Sequence, residues 1–130
     1  MIVEELKDDV EYQRIHEAVF KKTPVDIPAT ILIGRNDDGQ IVAFVAGAWL
    51  KTDHFQIRYS GVLPEYREGG YVRYLAFVLG NDISYDLAIE NTNITAHKIA
   101  LSVGFVPMGV LLQDNTLYIQ YKREKHGHSG

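Results

Sequence analysis

Apolar and polar positions along the chain change their spacing at one loop near the middle of the sequence. Between His54 and Val62, β-branched and aromatic residues alternate with polar ones, which is the spacing of a strand with two different faces. Pro64 ends this run, two adjacent glycines follow, and apolar residues then recur at helical spacing from Tyr71. The pattern predicts a strand, a glycine loop and a buried helix that ends near Gly80.

The first predicted helix carries a histidine on its apolar stripe. Residues 1–6 can form a short strand, and Asp8 or Asp9 can cap a helix that runs to about Lys22. Its apolar positions recur at i, i+3, i+4 and i+7, at Tyr12, Ile15, His16 and Val19. Two interpretations of His16 are open, a catalytic group or a half-buried helix histidine, and the spacing favours the second.

A hairpin is predicted after this helix. Residues 30–35 and 40–50 are rich in β-branched and apolar residues and are joined by a turn that contains Asp38-Gly39. The second strand is apolar on both faces, which is typical of a central strand covered on both sides. We therefore expect it in the middle of a sheet, with Trp49 in the core.

The segment after the central helix is predicted to return to the same sheet. Residues 85–90 read as a short strand, which follows a strand and a helix and should therefore run parallel to the strand that ends at Val62. Thr92 or Asn93 can cap the next helix, and Gly104 is placed as the glycine that follows its end.

A second hairpin and a polar tail complete the predicted elements. Residues 105–112 and 116–121 form the hairpin, and residues 122–130 are polar and are expected to be disordered. His126 and His128 could chelate a metal ion, but a frayed tail is the preferred interpretation.

Composition and charge narrow the class of protein. The 130 residues predict one domain, and 46% hydrophobic with 23% charged residues is ordinary for a globular chain. The absence of cysteine excludes disulfides and cysteine-based zinc sites. A net charge of −4 disfavours broad electrostatic binding to nucleic acid. With no secretory leader and no apolar run of membrane-spanning length, we expect a soluble, cytoplasmic protein without membrane contact.

The glycine loop is the part of the sequence that can carry chemistry. N–H groups at a helix start converge on one point, and the helix dipole adds partial positive charge there, so phosphate can bind. Gly69 and Gly70 permit positive φ and a close approach of an anion to the backbone. An ordinary strand-to-helix turn is the alternative. The loop has neither Gly-x-Gly-x-x-Gly nor the lysine of a P-loop.

Two sequence blocks resemble one enzyme family. Val62-x-Pro64-x-x-Arg67-x-x-Gly70-x-Val72 resembles the acyl-CoA pyrophosphate loop of the GNAT N-acetyltransferase superfamily, which usually has a small residue at the position of Val72. A second block resembles the family's next segment and consists of Leu87-x-Ile89-x-x-x-Asn93-x-x-Ala96 followed by Gly104-Phe105. The resemblance covers roughly residues 54 to 112.

The resemblance implies a fold and a cofactor. The fold is α/β (α+β), with a mixed, mostly antiparallel sheet of six to seven strands, splayed parallel middle strands and about three helices, in a single domain over residues 1–121. The implied cosubstrate is acetyl-CoA, without a metal. The implied cofactor-binding residues are Val62, Leu63, Arg67, Glu68, Gly69, Gly70, Tyr71, Val72 and Asn93.

Each of these residues has an implied role. Pantetheine amides would pair with backbone at Val62 and Leu63, and the pyrophosphate would sit on loop N–H groups, helped by the Arg67 or Arg73 guanidinium. Asn93 would bind the thiol end or the pantetheine arm. The N–H of Val62 would also donate to the oxyanion of the tetrahedral intermediate.

The acid and base positions depart from the family pattern. Ala100 stands where many members have a tyrosine acid, and Gln56 stands where a carboxylate base is often found. His54 and Tyr59 are the catalytic candidates, with Glu90 and His97 as further ones, and each has a packing or surface role as its alternative.

Two hypotheses of function follow from these observations. The first is an acyl-CoA-dependent N-acetyltransferase that transfers an acetyl group to a primary amine on a small molecule or a protein. The second is a GNAT-fold domain that has lost this chemistry and serves as a binding or structural module, for example of a phage-type particle. The alternating strand 117–121 also predicts a homodimer in which that strand is covered.

Overall fold

The computed structural model describes residues 1–126. The strands are β1 (Ile2–Glu5), β2 (Thr30–Arg35), β3 (Ile41–Lys51), β4 (His54–Val62), β5 (Ser84–Glu90), β6 (Val106–Gln113) and β7 (Thr116–Arg123). The α-helices are α1 (Asp9–Phe20), α2 (Tyr71–Leu79) and α3 (Ile94–Ser102). A single 3₁₀ turn at Pro64–Tyr66 follows β4 in this part of the chain. None of the helices in residues 1–126 is long and apolar enough to cross a membrane.

The strands form one sheet in the order β1-β2-β3-β4-β5-β7-β6. The pairs β1–β2, β2–β3, β5–β7 and β6–β7 are antiparallel. β4 and β5 pair in parallel, from His54 opposite Ser84 to Ile57 opposite Leu87. The mixed, mostly antiparallel sheet with a parallel middle pair and three helices confirms the predicted fold class. β3 has strands on both sides, as its apolar faces predict.

Contacts within the chain group it into two compact units. The first contains Met1–Ala48 and Arg58–Leu79, and the second contains Trp49–Ile57 and the chain from Gly80 onwards. β3 and β4 each contribute residues to both units. The prediction of one domain therefore stays a prediction.

α1 and α2 are held in the first unit by close side-chain packing. The Asp8 carboxylate caps α1 by accepting from the N–H groups of Val10 and Glu11 at 3.0 and 3.2 Å. The buried core of this unit contains Tyr12, Ile15, Ile31, Ile33, Ile41, Phe44, Ala46 and Leu63. α2 packs on β2 where a Cβ at Gly34 would lie 2.8 Å from Val78 Cγ2, so glycine permits the close approach.

The second unit is built on Phe55 and Tyr85, which are fully buried with ring centroids 5.8 Å apart. Trp49 contacts Phe55 edge-on at 5.1 Å, yet 41% of Trp49 is exposed. The prediction of Trp49 in the core is wrong because the last residues of β3, Trp49 to Lys51, are open to solvent. Gly104, at φ +99°, follows the end of α3 as predicted.

The C-terminal hairpin differs from the sequence prediction in two ways. β7 continues to Arg123, so the expected disordered tail does not begin at residue 122. Arg123 is buried, and it donates from Nε to the Val103 carbonyl at 2.8 Å and from Nη1 to the Gly80 carbonyl at 2.6 Å. β7 also lies between β5 and β6, so the outer strand is β6. Residues 127–130, with His128, lie outside the described residues.

Candidate cofactor site

The loop after β4 is a chain of tight turns. Pro64 opens the 3₁₀ turn, in which the N–H of Tyr66 donates to the Leu63 carbonyl at 2.9 Å. The N–H of Arg67 then donates to Pro64 and the N–H of Gly70 to Arg67, each at 3.3 Å. Proline suits the first position because it has no N–H to lose and its φ is already that of the turn.

Both glycines of the loop are required by its backbone. Gly69 has φ +71°, a conformation that side chains other than those of Asn and Asp rarely adopt. Gly70 is buried, and a Cβ there would lie 2.8 Å from the Tyr66 carbonyl oxygen and 2.6 Å from Tyr74 Cε2. A side chain at Gly70 would therefore prevent the loop from closing, whereas Gly69 is constrained only by its positive φ, which Asn and Asp can also adopt.

The start of α2 supplies N–H groups that a ligand can use. The N–H of Tyr74 donates to the Gly70 carbonyl at 2.9 Å, and the preceding N–H groups of the helix have no acceptor within it. Glu68, Gly69 and Val72 are exposed, so the loop backbone faces solvent. Val72 stands where the GNAT pattern has a small residue. It is 39% exposed, so its side chain does not fill the loop.

Arg67 has a structural role that the sequence did not indicate. Its Nε donates to the Val62 carbonyl at 2.8 Å, and its Nη2 donates to the Val19 carbonyl at 3.3 Å. The guanidinium thus joins the end of β4 to α1. Arg73 is the exposed arginine of this loop; it stacks 4.8 Å from the Tyr74 ring and donates to its hydroxyl at 3.0 Å.

Both backbone groups of Leu63, which the resemblance assigns to pantetheine, have hydrogen-bond partners within the protein. The N–H of Leu63 donates to the Val42 carbonyl at 2.9 Å, and its carbonyl accepts from Tyr66. The Val62 carbonyl is taken by Arg67. Because N–H groups alternate between the two edges of a strand, the N–H of Val62 points away from β3. Unlike the N–H of Leu63, it is not used by β3, and a ligand can reach it only in competition with the Tyr71 hydroxyl.

Tyr71 contributes a side chain as well as backbone to this region. Burial raises the pKa of the Tyr71 hydroxyl, while Arg67 and a hydrogen bond from the Val62 backbone act in the opposite direction. The hydroxyl therefore lies beside the N–H of Val62 and is protonated at neutral pH. The sequence predicted Tyr71 only as a backbone ligand, because nothing in its spacing showed where the ring would lie.

Tyr59 lies in an aromatic cluster of the first unit. Its ring is edge-on to His16 at 4.9 Å and 5.9 Å from Phe20, and the Arg58 guanidinium lies 5.1 Å above it. Arg58 also pairs with Asp26 at 2.6 Å. Tyr59 is half-buried on β4 three residues before Val62, so it remains a candidate near the end of the strand.

His16 is a core histidine, more deeply buried than expected. Its Nδ1 is 2.9 Å from the Tyr12 hydroxyl, and both residues are inaccessible to solvent. Burial is the main cause that lowers the pKa of His16, and Lys22 adds to it. Burial also raises the pKa of Tyr12, so the neutral pair, with the hydroxyl donating to Nδ1, is the stable state.

His54 belongs to the second unit, whereas the glycine loop belongs to the first. His54 and Val62 are the first and last residues of β4. His54 Nε2 lies 2.9 Å from Asp86 Oδ1 but without hydrogen-bond geometry. In the parallel pair of strands, His54 is opposite Ser84, the first residue of β5. Its role as a catalytic group stays a prediction.

The second block of the sequence forms the start of α3 in the second unit. Asn93 is the N-cap, and its side-chain oxygen accepts from the N–H of Ala96 at 3.2 Å. His97 contacts the Tyr121 hydroxyl through Nδ1 at 2.7 Å and the Glu90 carbonyl through Nε2 at 3.0 Å. Both ring nitrogens of His97 thus have partners within this unit, as the packing interpretation predicts.

Ala100 is 3% exposed and is the buried residue of α3. A tyrosine at this position would have to displace its neighbours, which typically costs about 1–3 kcal/mol. Among residues 1–126, no three His, Asp or Glu side chains are grouped closely enough to hold a metal ion.

No protein-family model matches the sequence, and a search of curated proteins finds no match. Solved structures do match. The ribosomal-protein-S18-alanine N-acetyltransferase of Escherichia coli is 13% identical, with a TM-score of 0.63 over 99% of this chain and 97% of the other. A GNAT-family acetyltransferase of Bacillus cereus is 15% identical, with a TM-score of 0.62 over 98% and 100%.

A third similar structure contains a ligand. A Bacillus anthracis protein described as a streptothricin acetyltransferase, in complex with acetyl coenzyme A, is 21% identical, with a TM-score of 0.53 over 77% of this chain and 64% of the other. At sequence identities this low, the similarity to these structures shows the fold alone.

Proposed function

We propose that this chain, which has the GNAT fold, is an acetyl-CoA-dependent N-acetyltransferase that acts on a primary amine. The observation that carries the proposal is the loop at Gly69 and Gly70. It combines a positive φ, a glycine with no room for a side chain and the exposed start of a nine-residue helix. Such a loop suits a diphosphate, which needs converging N–H groups and close backbone approach.

The diphosphate of acetyl-CoA would bind to the backbone of Glu68 to Val72. Arg73 is the arginine that can reach a bound phosphate, because its guanidinium is exposed, whereas Arg67 is held by two carbonyls. A charge-assisted contact from Arg73 would add to the affinity without being essential to it. Most of the affinity would come from the loop backbone.

The thioester would be placed at the end of β4. The amine nitrogen attacks the thioester carbonyl, the C–S bond then breaks, and the proton released by the amine passes to base or solvent while the thiolate leaves. The N–H of Val62 would donate to the oxyanion in place of the Tyr71 hydroxyl, its acceptor in the free protein. Tyr71, whose burial keeps its hydroxyl protonated, would donate to the leaving thiolate in place of the acid missing at Ala100.

The acceptor would be a cationic amine that approaches the side of β4 where Tyr59 lies. A net charge of −4 suits such an acceptor. A first panel should contain a polyamine, a peptide with N-terminal alanine and streptothricin, since the latter two are named for the similar proteins from E. coli and B. anthracis.

Isothermal titration with acetyl-CoA tests the loop. Gly69→Asp and Gly69→Asn form a matched pair, because both residues tolerate positive φ and nothing lies within 4 Å of a Cβ at this position. The wild type and Gly69→Asn should bind, and Gly69→Asp should bind at least tenfold more weakly because its carboxylate repels the diphosphate. Absence of wild-type binding at millimolar acetyl-CoA would overturn the proposal.

Turnover of the amine panel separates the two hypotheses of function. Acetylation of any member, detected by mass spectrometry and absent in Gly69→Asp, supports a transferase. Tight binding of acetyl-CoA without acetylation of any amine would favour the alternative of a binding or structural module.

A further inference from the structure

The outer strand β6 is open to solvent along its whole length. All eight of its residues are exposed, including Leu112 at 70% and Val110 at 65%. The strand contains no charged residue. Edge strands of soluble proteins are usually protected by charged side chains, proline or a bulge. Here Pro107 and the irregularity between Pro107 and Gly109 protect the first half only, and the second half is regular.

The turn of the hairpin determines which backbone groups of β6 are free. Asp114 and Asn115 both have positive φ, which is the type I′ turn of a two-residue hairpin. Such a turn is closed by a hydrogen-bonded pair, here Gln113 with Thr116, and hydrogen-bonded and non-bonded pairs then alternate along the ladder. The N–H and C=O groups of Val110 and Leu112 therefore point away from β7, towards solvent.

We propose that β6 pairs antiparallel with β6 of a second copy of this chain, about a two-fold axis at Leu111. In this register Val110 of one copy lies opposite Leu112 of the other. These are the residues whose backbone groups point outwards, so each such pair can exchange two hydrogen bonds. Leu111 lies opposite its own counterpart as a non-bonded pair, in which the Cα atoms approach to about 4.5 Å.

A second copy suits this edge better than an unrelated partner for two reasons. The register is self-complementary, because it joins Val110 and Leu112 from both copies into one apolar patch on one face of the extended sheet. It also brings no like charges together, since Asp114 falls opposite Met108 and the strand itself is neutral. The dimer expected from the sequence stays a prediction, and the proposed interface is β6 in place of β7.

Cysteine cross-linking tests the register directly, because the chain has no native cysteine. Leu111→Cys should form an intermolecular disulfide under mild oxidation, since the paired Cα atoms lie within bonding range. Val106→Cys is the matched control on the same strand. Its two copies would be ten strand residues apart, about 33 Å, and should not cross-link. Equal cross-linking of both variants, or none in Leu111→Cys, would overturn the proposal.

Multi-angle light scattering tests the assembly independently. The wild type should have the mass of a dimer at tens of micromolar. Leu112→Lys should shift it to monomer, because two lysines would be placed in the apolar patch beside the axis, while circular dichroism remains unchanged. Val10→Lys, at an equally exposed position on α1, should remain dimeric. A monomeric wild type, or two variants that behave alike, would contradict the proposal.

Discussion

Val19 fills the space where a side chain at Gly61 would be. A Cβ at Gly61 would lie 2.6 Å from Val19 Cγ1 and 3.4 Å from Phe44 Cε1. α1 is therefore seated directly on the end of β4, and the Val19 carbonyl accepts from Arg67 on the following loop. The position of this helix and the position of the loop depend on the same few contacts.

Replacement of Gly61 with alanine should destabilise the protein by about 1–3 kcal/mol, the usual cost of an added group in a packed site. Val19→Ala in the same chain should recover much of this loss, because the clash is with a side-chain methyl. Urea unfolding of the wild type, the two single variants and the double variant measures the coupling. Additive losses would show that the contact between Val19 and Gly61 does not limit the approach of α1.

Tyr71→Phe should lower kcat for amine acetylation by about 100-fold or more, because a positioned general acid typically contributes 10²–10⁴-fold. The dissociation constant of acetyl-CoA should change little, since the loop backbone is retained. Tyr85→Phe is the matched control. Burial raises the pKa of Tyr85 to about 12, and its hydroxyl has no hydrogen-bond partner in the described part of the protein.

The Tyr85 control should leave kcat unchanged and should not reduce stability, because an unpaired buried hydroxyl contributes nothing that phenylalanine lacks. An equal loss of kcat in both variants would show that the effect of Tyr71→Phe is structural.

Stability should fall on acidification as His16 becomes protonated. Burial lowers the pKa of folded His16 below its usual value of 6.5, so the unfolded chain binds a proton more readily. The contribution of neutral His16 to the free energy of unfolding is complete above the pKa that this histidine has in the unfolded chain. It is lost as the pH falls below that pKa. His16→Gln, which removes the titrating imidazole, should make the free energy of unfolding less dependent on pH between about 6.5 and 5.

Tyr12→Phe is the control for this pH dependence. It removes the 2.9 Å hydrogen bond but keeps the buried imidazole, so it should lower stability at every pH and retain the acid slope. Urea unfolding at a series of pH values measures both. An unchanged slope in His16→Gln would show that other groups cause the acid sensitivity.

Arg123→Met should destabilise the second unit by about 2–4 kcal/mol, because the carbonyls of Val103 and Gly80 would lose their donors in a buried site. Arg123→Lys should lose less, since an ammonium can still reach one carbonyl. Lys122→Met is the neighbouring control. Lys122 pairs with Glu124 at 3.3 Å near the surface, and its loss should change stability by less than about 1 kcal/mol.

The sequence predicted the elements that are determined by residues close together in the chain. Pro64, Gly69 and Gly70 determine a turn through their own φ preferences, so their spacing was enough to locate the loop and the start of α2. Asn93 caps α3 by a contact with a residue three positions away, which spacing also shows. The order of strands and helices followed from periodicity, and the fold class followed from the resemblance of two sequence blocks to the GNAT family.

The contacts that the sequence did not show are those between residues far apart in the chain. The partner of Arg67 at Val19 is 48 residues away, and the partner of Leu63 lies on β3. Arg123 was assigned to a tail because a charged side chain ends an apolar pattern, yet its partners are two backbone carbonyls. A hydrogen bond to a distant carbonyl leaves no periodic signal, so spacing could not show these contacts.

Because Arg67 has hydrogen-bond partners within the protein, its presence in a sequence does not by itself indicate cofactor binding. An arginine that joins β4 to α1 is retained by selection for a folded chain, whether or not a nucleotide cofactor is ever bound. A relative that had lost transferase activity would then keep this arginine. A sequence search based on the arginine would group active and inactive members together. Gly69 has no packing partner and is constrained by its backbone conformation alone, so an acidic residue there would record the loss of cofactor binding sooner than a change at Arg67.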